Sequence, residues 1–590
     1  MALADYLTLV AVFLPLVLSP VAYVIGRYRS KASGVFSSII ALVTLVAIIV
    51  LSLGGDYVVD NIFNFTVNRL TIFIAFIPAF LGFLAMLYSI GYLTEHAAPY
   101  YCFGLIFLGS MVGMSLSWNI VWMYIFMEIT TFSSAILVAH RRDIISYEAA
   151  IKYLLICLTA STIAIAGIAT FYSITGSLDL QASLSGSNSW AIKIMTISFL
   201  VGIGVKMAIF PLHTWLPDAH SEAPAPISTL LSGAMIGIGS YATFIILFKA
   251  AYPFIAPALS SFILIFGVLS MVIGAVMALA QRDLKRLLAY SSVSQMGYII
   301  VGIGLGTPLG IIAGLFHLLN HAFAKGLLFL GAGSVEKATG VRDLDRLGGL
   351  AKYMPVTASS MIIASLAISG VPPLNGFASK WMIFAACLEA NQPIVALIGM
   401  AVSAFTFIYF MKAIHSTFFG MRSDPSKEVK EPYYSMKIPM IVLAALCILF
   451  GVLPQLAVNY WLIPASQSFV PNSVTFSPLT LATSIGIWNS IGATLLLLLG
   501  LAFGSAIYLW GRRSSPTSVA VENKLLPFTG GMAYEPYLNL QDTRVNSTPF
   551  TFASTRIINF TRKLHPGLLN VNILWVVIFL VILILFVLVV

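Results

Sequence analysis

The stretch His317–Val335 reads HLLNHAFAKGLLFLGAGSV and places two histidines and a lysine inside an otherwise apolar run. His317, His321 and Lys325 recur at i, i+4 and i+8, which on an α-helix stacks them along one stripe about 6 Å apart. In a bilayer each titratable group costs at least ~2.5–3.5 kcal/mol to insert, so three on one helix face need an offsetting reason. The spacing suits either a set of interhelix hydrogen bonds or a path along which an ion moves.

The surrounding chain supplies the membrane setting. Of 590 residues, 59% are hydrophobic and 9% charged, where a soluble domain carries about 25% charged residues. Apolar runs long enough to cross a bilayer as helices follow one another nearly end to end, and helices satisfy their own backbone groups there. The expected fold is therefore all-α, a polytopic membrane bundle. Sixteen apolar segments are centred near residues 15, 43, 80, 110, 129, 160, 200, 237, 269, 296, 322, 370, 407, 449, 495 and 580. Cys102, Cys157, Cys387 and Cys447 are scattered one to a segment with no CxxC pair, so neither an iron–sulfur cluster nor a zinc site is encoded and no cofactor is expected. Gly302, Gly304 and Gly306 follow no strand and make no dinucleotide loop. Leu7–Ile25 is followed by Arg27, Arg29 and Lys31 and reads as a retained first helix rather than a cleaved signal.

The basic residues orient the bundle. With the amino terminus outside, most of the 31 lysines and arginines fall in inside connections and only Arg69 and Lys193 fall opposite. The net charge of +10 reflects this bias rather than nucleic-acid binding, and the expected location is the inner cell membrane. Lys152, Lys206, Lys249, Lys325, Lys380 and Lys412 are left in or at the edge of apolar segments.

Two segments carry breaks, at Pro211 and at Pro372-Pro373, each with a lysine nearby, Lys206 and Lys380. Proline frees backbone carbonyls, which is tolerated at membrane depth only where protein or water satisfies them. Paired broken segments five helices apart point to an internal repeat around a transport path, with a plain structural kink as the alternative. Glu128 is the mid-span carboxylate and Lys206 its natural partner, either as a responsive pair or as a static buried one. Glu148 and Lys152 are spaced for a helix-surface salt bridge and are accessory candidates. Lys249 suits an outer-interface anchor, and Lys412 with His415 either extends the polar file or anchors the inner interface.

Four runs, GVKMAIFPLHTWLPDAHSEAPAPIS, ALAQRDLKRLLAYSSVSQMGYI, HLLNHAFAKGLLFLGAGSV and SGVPPLNGFASKW, resemble the antiporter-like membrane subunits of complex I. That family also supplies large subunits of multi-subunit sodium/proton antiporters and of membrane-bound hydrogenases and formate hydrogenlyases. The resemblance spans roughly residues 70 to 460, with YSIGYL at Tyr88–Leu93 and EPYYSMKIPM at Glu431–Met440 also fitting. It implies a fourteen-helix core with two inverted five-helix repeats around a charged axis. By position it assigns proton translocation to Glu128 on the fifth helix, Lys206 on the broken seventh, His317, His321 and Lys325 in the central relay, and Lys380 on the broken twelfth. Relatives commonly carry a lysine or histidine in the eighth segment, whereas STLLSGAMIGIGSY at Ser228–Tyr241 has none, so Ser232 and its glycine neighbours are expected to hold a water bridge.

The expected organisation is an N-terminal helical part to residue 100, half-channels over 101–250 and 251–420, C-terminal core helices over 421–510, a cytoplasmic connector over 511–570 and a last transmembrane helix over 571–590. LPFTGGMAYEP and HPGLLNVNILWVV in the tail look closer to hydrogenase and formate hydrogenlyase relatives than to the distal complex I subunit. The resemblance implies a proton-translocating subunit of a redox-driven complex, with sister antiporter-like subunits and other membrane subunits as partners, peripheral redox subunits reached indirectly, and membrane lipid around it. A sodium/proton exchanger subunit without redox partners and a structural anchor stay open as alternatives.

Overall fold

The computed structural model describes residues 2–59, 63–182, 189–248, 252–419, 429–467, 476, 480–514 and 569–589. Apart from its first and last few residues the expected connector lies outside these, as does Lys249. The chain divides into Met1–Ser490 with Gly567–Val590, and Ile491–Pro566. Fourteen of the described helices are long and apolar enough to cross a membrane, and the protein is a multi-pass membrane protein.

In chain order the helices begin with α1 (Ala2–Tyr28), α2 (Ser30–Ser52), α3 (Arg69–Tyr92), α4 (Ala97–Leu116), α5 (Ile120–Val138), α6 (Ile144–Thr175) and α7 (Ser189–Gly202). Short α8 (Leu216–Glu222) and α9 (Ala225–Leu230) precede α10 (Ile236–Ile246), α11 (Tyr252–Leu279), α12 (Leu284–Gly304) and α13 (Pro308–Thr339). Then come α14 (Pro355–Ser369), α15 (Asn375–Glu389), α16 (Pro393–Phe418), α17 (Tyr434–Val452) and the single turns α18 (Pro454–Ala457) and α19 (Ile463–Ser466). The second unit contributes α20 (Ser490–Ser514), while α21 (Leu569–Val589) belongs to the first unit and packs on α6 and α7. The strands, β1 (Tyr57–Val59) with β2 (Phe65–Val67) and β3 (Leu481–Ala482) with β4 (Ile487–Trp488), form two small antiparallel pairs.

The deciding stretch is the centre of the bundle. Thr307 caps α13 by accepting from the Gly310 N–H at 3.1 Å, Pro308 starts it with a preset φ, and Gly340 ends it in the left-handed region at φ 72°. Between those signals α13 packs against α3, α9, α12, α14, α15 and α17. Its apolar residues have no lipid to face, so this helix can hold polar groups that a peripheral helix could not.

Both expected breaks are present. α7 stops at Gly202, a 3-10 turn Gly204–Met207 carries Lys206, and the chain restarts after Pro211 as α8. α14 stops at Ser369, Gly370 turns at φ 85°, and Asn375 restarts the chain as α15 after Pro372 and Pro373. A third irregularity was not foreseen: the eighth segment is interrupted by a π turn, Leu231–Met235, between α9 and α10.

The connections around α5–α6 and α12–α13 match atom for atom. Ile120 N donates to Leu178 O and Leu180 N to Trp118 O, at 2.9 and 3.0 Å. Leu284 N donates to Arg342 O and Leu344 N to Arg282 O, at 3.0 and 2.8 Å. α6 and α13 have the same length, 32 residues, and end at left-handed Gly176 and Gly340. One constant spacing relates all these pairs, and by it Tyr153 corresponds to His317, Cys157 to His321 and Ser161 to Lys325.

Candidate functional site

The His317, His321 and Lys325 stripe is helical and fully buried. Its members do not bond to one another along α13. Each reaches sideways. Lys325 Nζ donates to Leu288 O at 2.9 Å and to Ser291 Oγ at 2.6 Å, both on α12, and lies 5.4 Å from the centre of the Phe410 ring. The Tyr409 hydroxyl joins the same Ser291 at 3.0 Å. His317 meets Ser379 Oγ on α15 at 2.9 Å through Nδ1 and Gln295 Oε1 on α12 at 3.0 Å through Nε2. The Nε2 of His321 is buried without a hydrogen bond.

Ser291, Gln295 and Tyr298 of α12 were missed as site residues although their signal was available. They recur at i, i+4 and i+7 in a helix every residue of which, bar Arg286, is buried. That is the same argument that singled out His317. Serines escape it because they so often bond the carbonyl one turn back, as Ser292 does to Leu288 O at 3.1 Å.

Lys380 lies past the second break, buried, with Nζ 3.5 Å from Ser369 O at the end of α14 and 4.6 Å from the centre of the Tyr298 ring. Tyr298 also packs on the His317 ring at 5.6 Å and donates to Gly399 O at 2.6 Å. One tyrosine thus bridges the central stripe and the terminal lysine.

Lys206 has sparser company. Its Nζ approaches the Tyr153 hydroxyl at 3.5 Å and stands 5.1 Å over the Tyr153 ring, with Cys157 also close enough to interact. Gly239 of α10 lies against it, where an added Cβ would stand 2.6 Å from the Lys206 Cβ. The expected contact with Glu128 is corrected: no ion pair joins them, and Glu128 acts on Lys206 only as a charge at longer range. Both Glu128 carboxylate oxygens are buried without a hydrogen bond of acceptable geometry, Tyr124 being their near electrostatic neighbour. The physical reason is that opposite charge and similar depth make two residues candidates for a pair, while their separation depends on how the helices carrying them pack. Tyr153 of α6 occupies the place expected for the carboxylate.

In the eighth segment Ser232 Oγ shares a 2.7 Å hydrogen bond with Ser292 Oγ. Ser292 in turn bonds the Leu288 carbonyl that receives Lys325.

At one end of α13 lies an ion-pair network that the sequence reading assigned to connections. Lys285, 1% exposed, pairs with Glu336 at 2.7 Å and donates to Ala223 O at 3.2 Å. Glu336 also receives Arg141, and Glu222 receives Arg141 and Arg342 at 3.3 and 3.4 Å. Glu148 pairs with Lys152, as the spacing suggested, and Lys152 lies 3.8 Å from Asp218, which Arg286 holds at 3.0 Å. Lys412 instead donates to Leu279 O and Gln281 O at 3.1 and 2.8 Å, capping the end of α11, and His415 is exposed. Neither extends the central file. Among the described residues no group of three or more His, Cys, Asp and Glu side chains could hold a metal ion.

The arrangement is thus a buried series of amine, imidazole, hydroxyl and amide groups, mostly within hydrogen-bond reach, threaded through the core at two helix breaks. Amines, imidazoles and hydroxyls both give and take protons during transfer, and buried side chains of this kind mark ion paths.

The chain is similar to several known membrane proteins. The family of transmembrane proteins described as NADH:quinone oxidoreductase/Mrp antiporter matches residues 117–406. The N subunit of the NADH-quinone oxidoreductase of Desulforudis audaxviator is 35% identical over 400 residues, 63% of this chain and 78% of that one. A Na(+)/H(+) antiporter subunit of Alkalihalophilus pseudofirmus is 34% identical over 487 residues, covering 76% of this chain but only 60% of the relative. Among solved structures, a chain of the membrane-bound sulfane sulfur reductase, an archaeal respiratory membrane complex, superposes with a TM-score of 0.80 at 27% identity, over 95% of this chain and 93% of that one. The protein belongs to the NADH:quinone oxidoreductase/Mrp antiporter family, as one of its antiporter-like membrane subunits.

Proposed function

We propose that the chain translocates protons as one subunit of a complex-I-like, redox-driven membrane assembly, of the NADH:quinone oxidoreductase or membrane-bound hydrogenase and formate hydrogenlyase kind. The electron-transfer chemistry resides in other chains. The observation that carries the reading is the buried file Lys325–Ser291, His317–Gln295, His317–Ser379 and Lys380–Tyr298, built at the centre of the bundle and at a helix break. Near full-length likeness to a chain of a respiratory complex favours the redox setting over a free-standing exchanger. The 34% identity to a Na(+)/H(+) antiporter subunit keeps sodium/proton exchange as the second reading.

In this mechanism α5–α6 with the Lys206 turn, and α12–α13 with the Lys380 helix, are the working parts of two repeated half-channels over 101–250 and 251–420. A shift in a neighbouring membrane subunit changes the field at Glu128, which alters how strongly Lys206 holds its charge. Lys206 acts on Lys325 through that charge, and a proton passes from Lys325 by way of His321 and His317 to Lys380. Glu148 and Lys152, near the ion-pair network, belong to the access path. The amino terminus lies outside and the basic connections inside, in the inner cell membrane.

The test is coupled proton uptake by the assembled complex in everted vesicles, with electron transfer as control. Lys206→Met and Glu128→Gln are each expected to abolish uptake while the complex stays assembled. Normal uptake in either variant removes that residue from the path, and uptake that requires sodium in the absence of electron transfer replaces this reading with the exchanger.

A further inference from the structure

The π turn Leu231–Met235 is the element that touches both lysine groups. Its second residue, Ser232, bonds Ser292 at 2.7 Å, and through Leu288 O that serine is linked to Lys325. Its last residue, Met235, lies 3.6 Å from the Tyr153 hydroxyl, which in turn is 3.5 Å from Lys206 Nζ. All of these side chains are buried. A π turn is wider than an α turn, so two residues three positions apart diverge enough for one to face each group.

The two contacts differ in kind. A serine hydroxyl both donates and accepts, whereas a thioether accepts weakly and has no proton to pass on. A proton on Tyr153 therefore meets at Met235 a group from which it cannot continue. The other hydroxyl on Tyr153 is Ser134 Oγ at 2.8 Å, which bonds back to Thr130 O in its own helix, while Gly233 in the same turn abuts Leu81 and Ala322, and Gly239 abuts Lys206.

We propose that Met235 is an insulating residue, which keeps protons of the Lys206 group from exchanging with the Lys325 group while leaving their charges in mutual view. This rests on the proton-translocation reading above and adds to it why an eighth segment without a titratable side chain is functional. Here the first half-channel signals to the second by field alone, so no proton short-circuits from one to the other. Met235 is a positioning residue in this scheme, since it touches the path and does not carry the proton.

The experiment uses the whole complex in everted vesicles and reads two quantities: passive proton conductance after a pH jump, and the ratio of protons moved to electrons transferred. Met235→Leu, apolar and of similar size, should leave both unchanged. Met235→Ser, which supplies a hydroxyl and room for water, should raise conductance severalfold and lower the ratio at unchanged electron transfer. Adding Lys206→Met to Met235→Ser should return conductance to the wild-type level, because the new path runs through Lys206. If Met235→Ser does not assemble, Met235→Gln offers an amide at nearly unchanged volume with the same expected leak. Vesicles as tight as wild type with the polar variant, a leak that survives Lys206→Met, or lost pumping in Met235→Leu would each overturn the proposal. Failure of the underlying reading is seen separately: it is normal pumping by the Lys206→Met single variant, whatever Met235 does.

Discussion

The two halves related by the α5–α6 and α12–α13 correspondence carry different chemistry at equivalent places. Beside Lys206 the first half offers Tyr153 and Cys157; at the equivalent places the second offers His317, which interacts with Lys380, and His321, which interacts with Lys325. A phenol and a thiol do not become cations, whereas an imidazole can take up a second proton and pass one on from either ring nitrogen. The hydrogen bonding differs in parallel. Lys325 has two acceptors within 2.9 Å, while Lys206 has the Tyr153 hydroxyl at 3.5 Å and the Cys157 thiol nearby, and Glu128 has no bonded oxygen. Buried charge left partly unsatisfied is costly and responds strongly to any added charge. In the proposed mechanism one scaffold serves once to sense a field and once to pass a proton.

Exchanging the two chemistries tests this division. His317→Tyr places in the second half what the first half has, and should reduce coupled proton uptake to background while electron transfer persists. Ser232→Leu removes the bond to Ser292 and forces bulk against α12, and should lower uptake by more than half, measured in the same vesicles. Tyr153→His makes the first half resemble the second; uptake in the same vesicles should fall partially, because a group that can take up a proton then stands beside Lys206. Lys285→Met breaks a buried pair but leaves Glu336 with two arginines, so the cost should be about 1–3 kcal/mol, seen as earlier thermal unfolding of the detergent-solubilised complex with transport per folded complex unchanged. Lys412→Gln, at a helix cap outside the buried file, should change uptake within error, and a large loss there would redraw the path.

Much of this was legible beforehand. The helical bundle follows from apolar run length, and the breaks from Pro211, Pro372 and Pro373, since proline acts locally whatever surrounds it. The α13 stripe was legible for the same reason: periodicity within one helix is a local property. Contacts between helices were not. Tyr153 displaced Glu128 from Lys206 because which residue reaches a lysine depends on how α5, α6 and α7 pack, and no spacing encodes that. Lys285 and Glu336 read as connection residues because each lies within a turn or so of a helix end, yet the packed ends of α5, α8, α12 and α13 bury Lys285 and half-bury Glu336. The π turn escaped because SGAMIGIG looks only like a small-residue helix.

The ion-pair network also bears on how the chain is made. Arg141, Glu222, Lys285 and Glu336 are contributed by segments synthesised far apart in time, and Glu336, near the end of α13, is the last of them to leave the ribosome. Until it arrives, Lys285 has no carboxylate to neutralise it at the start of α12. A chain interrupted before Glu336 therefore leaves Lys285 without the carboxylate that pairs with it in the finished protein.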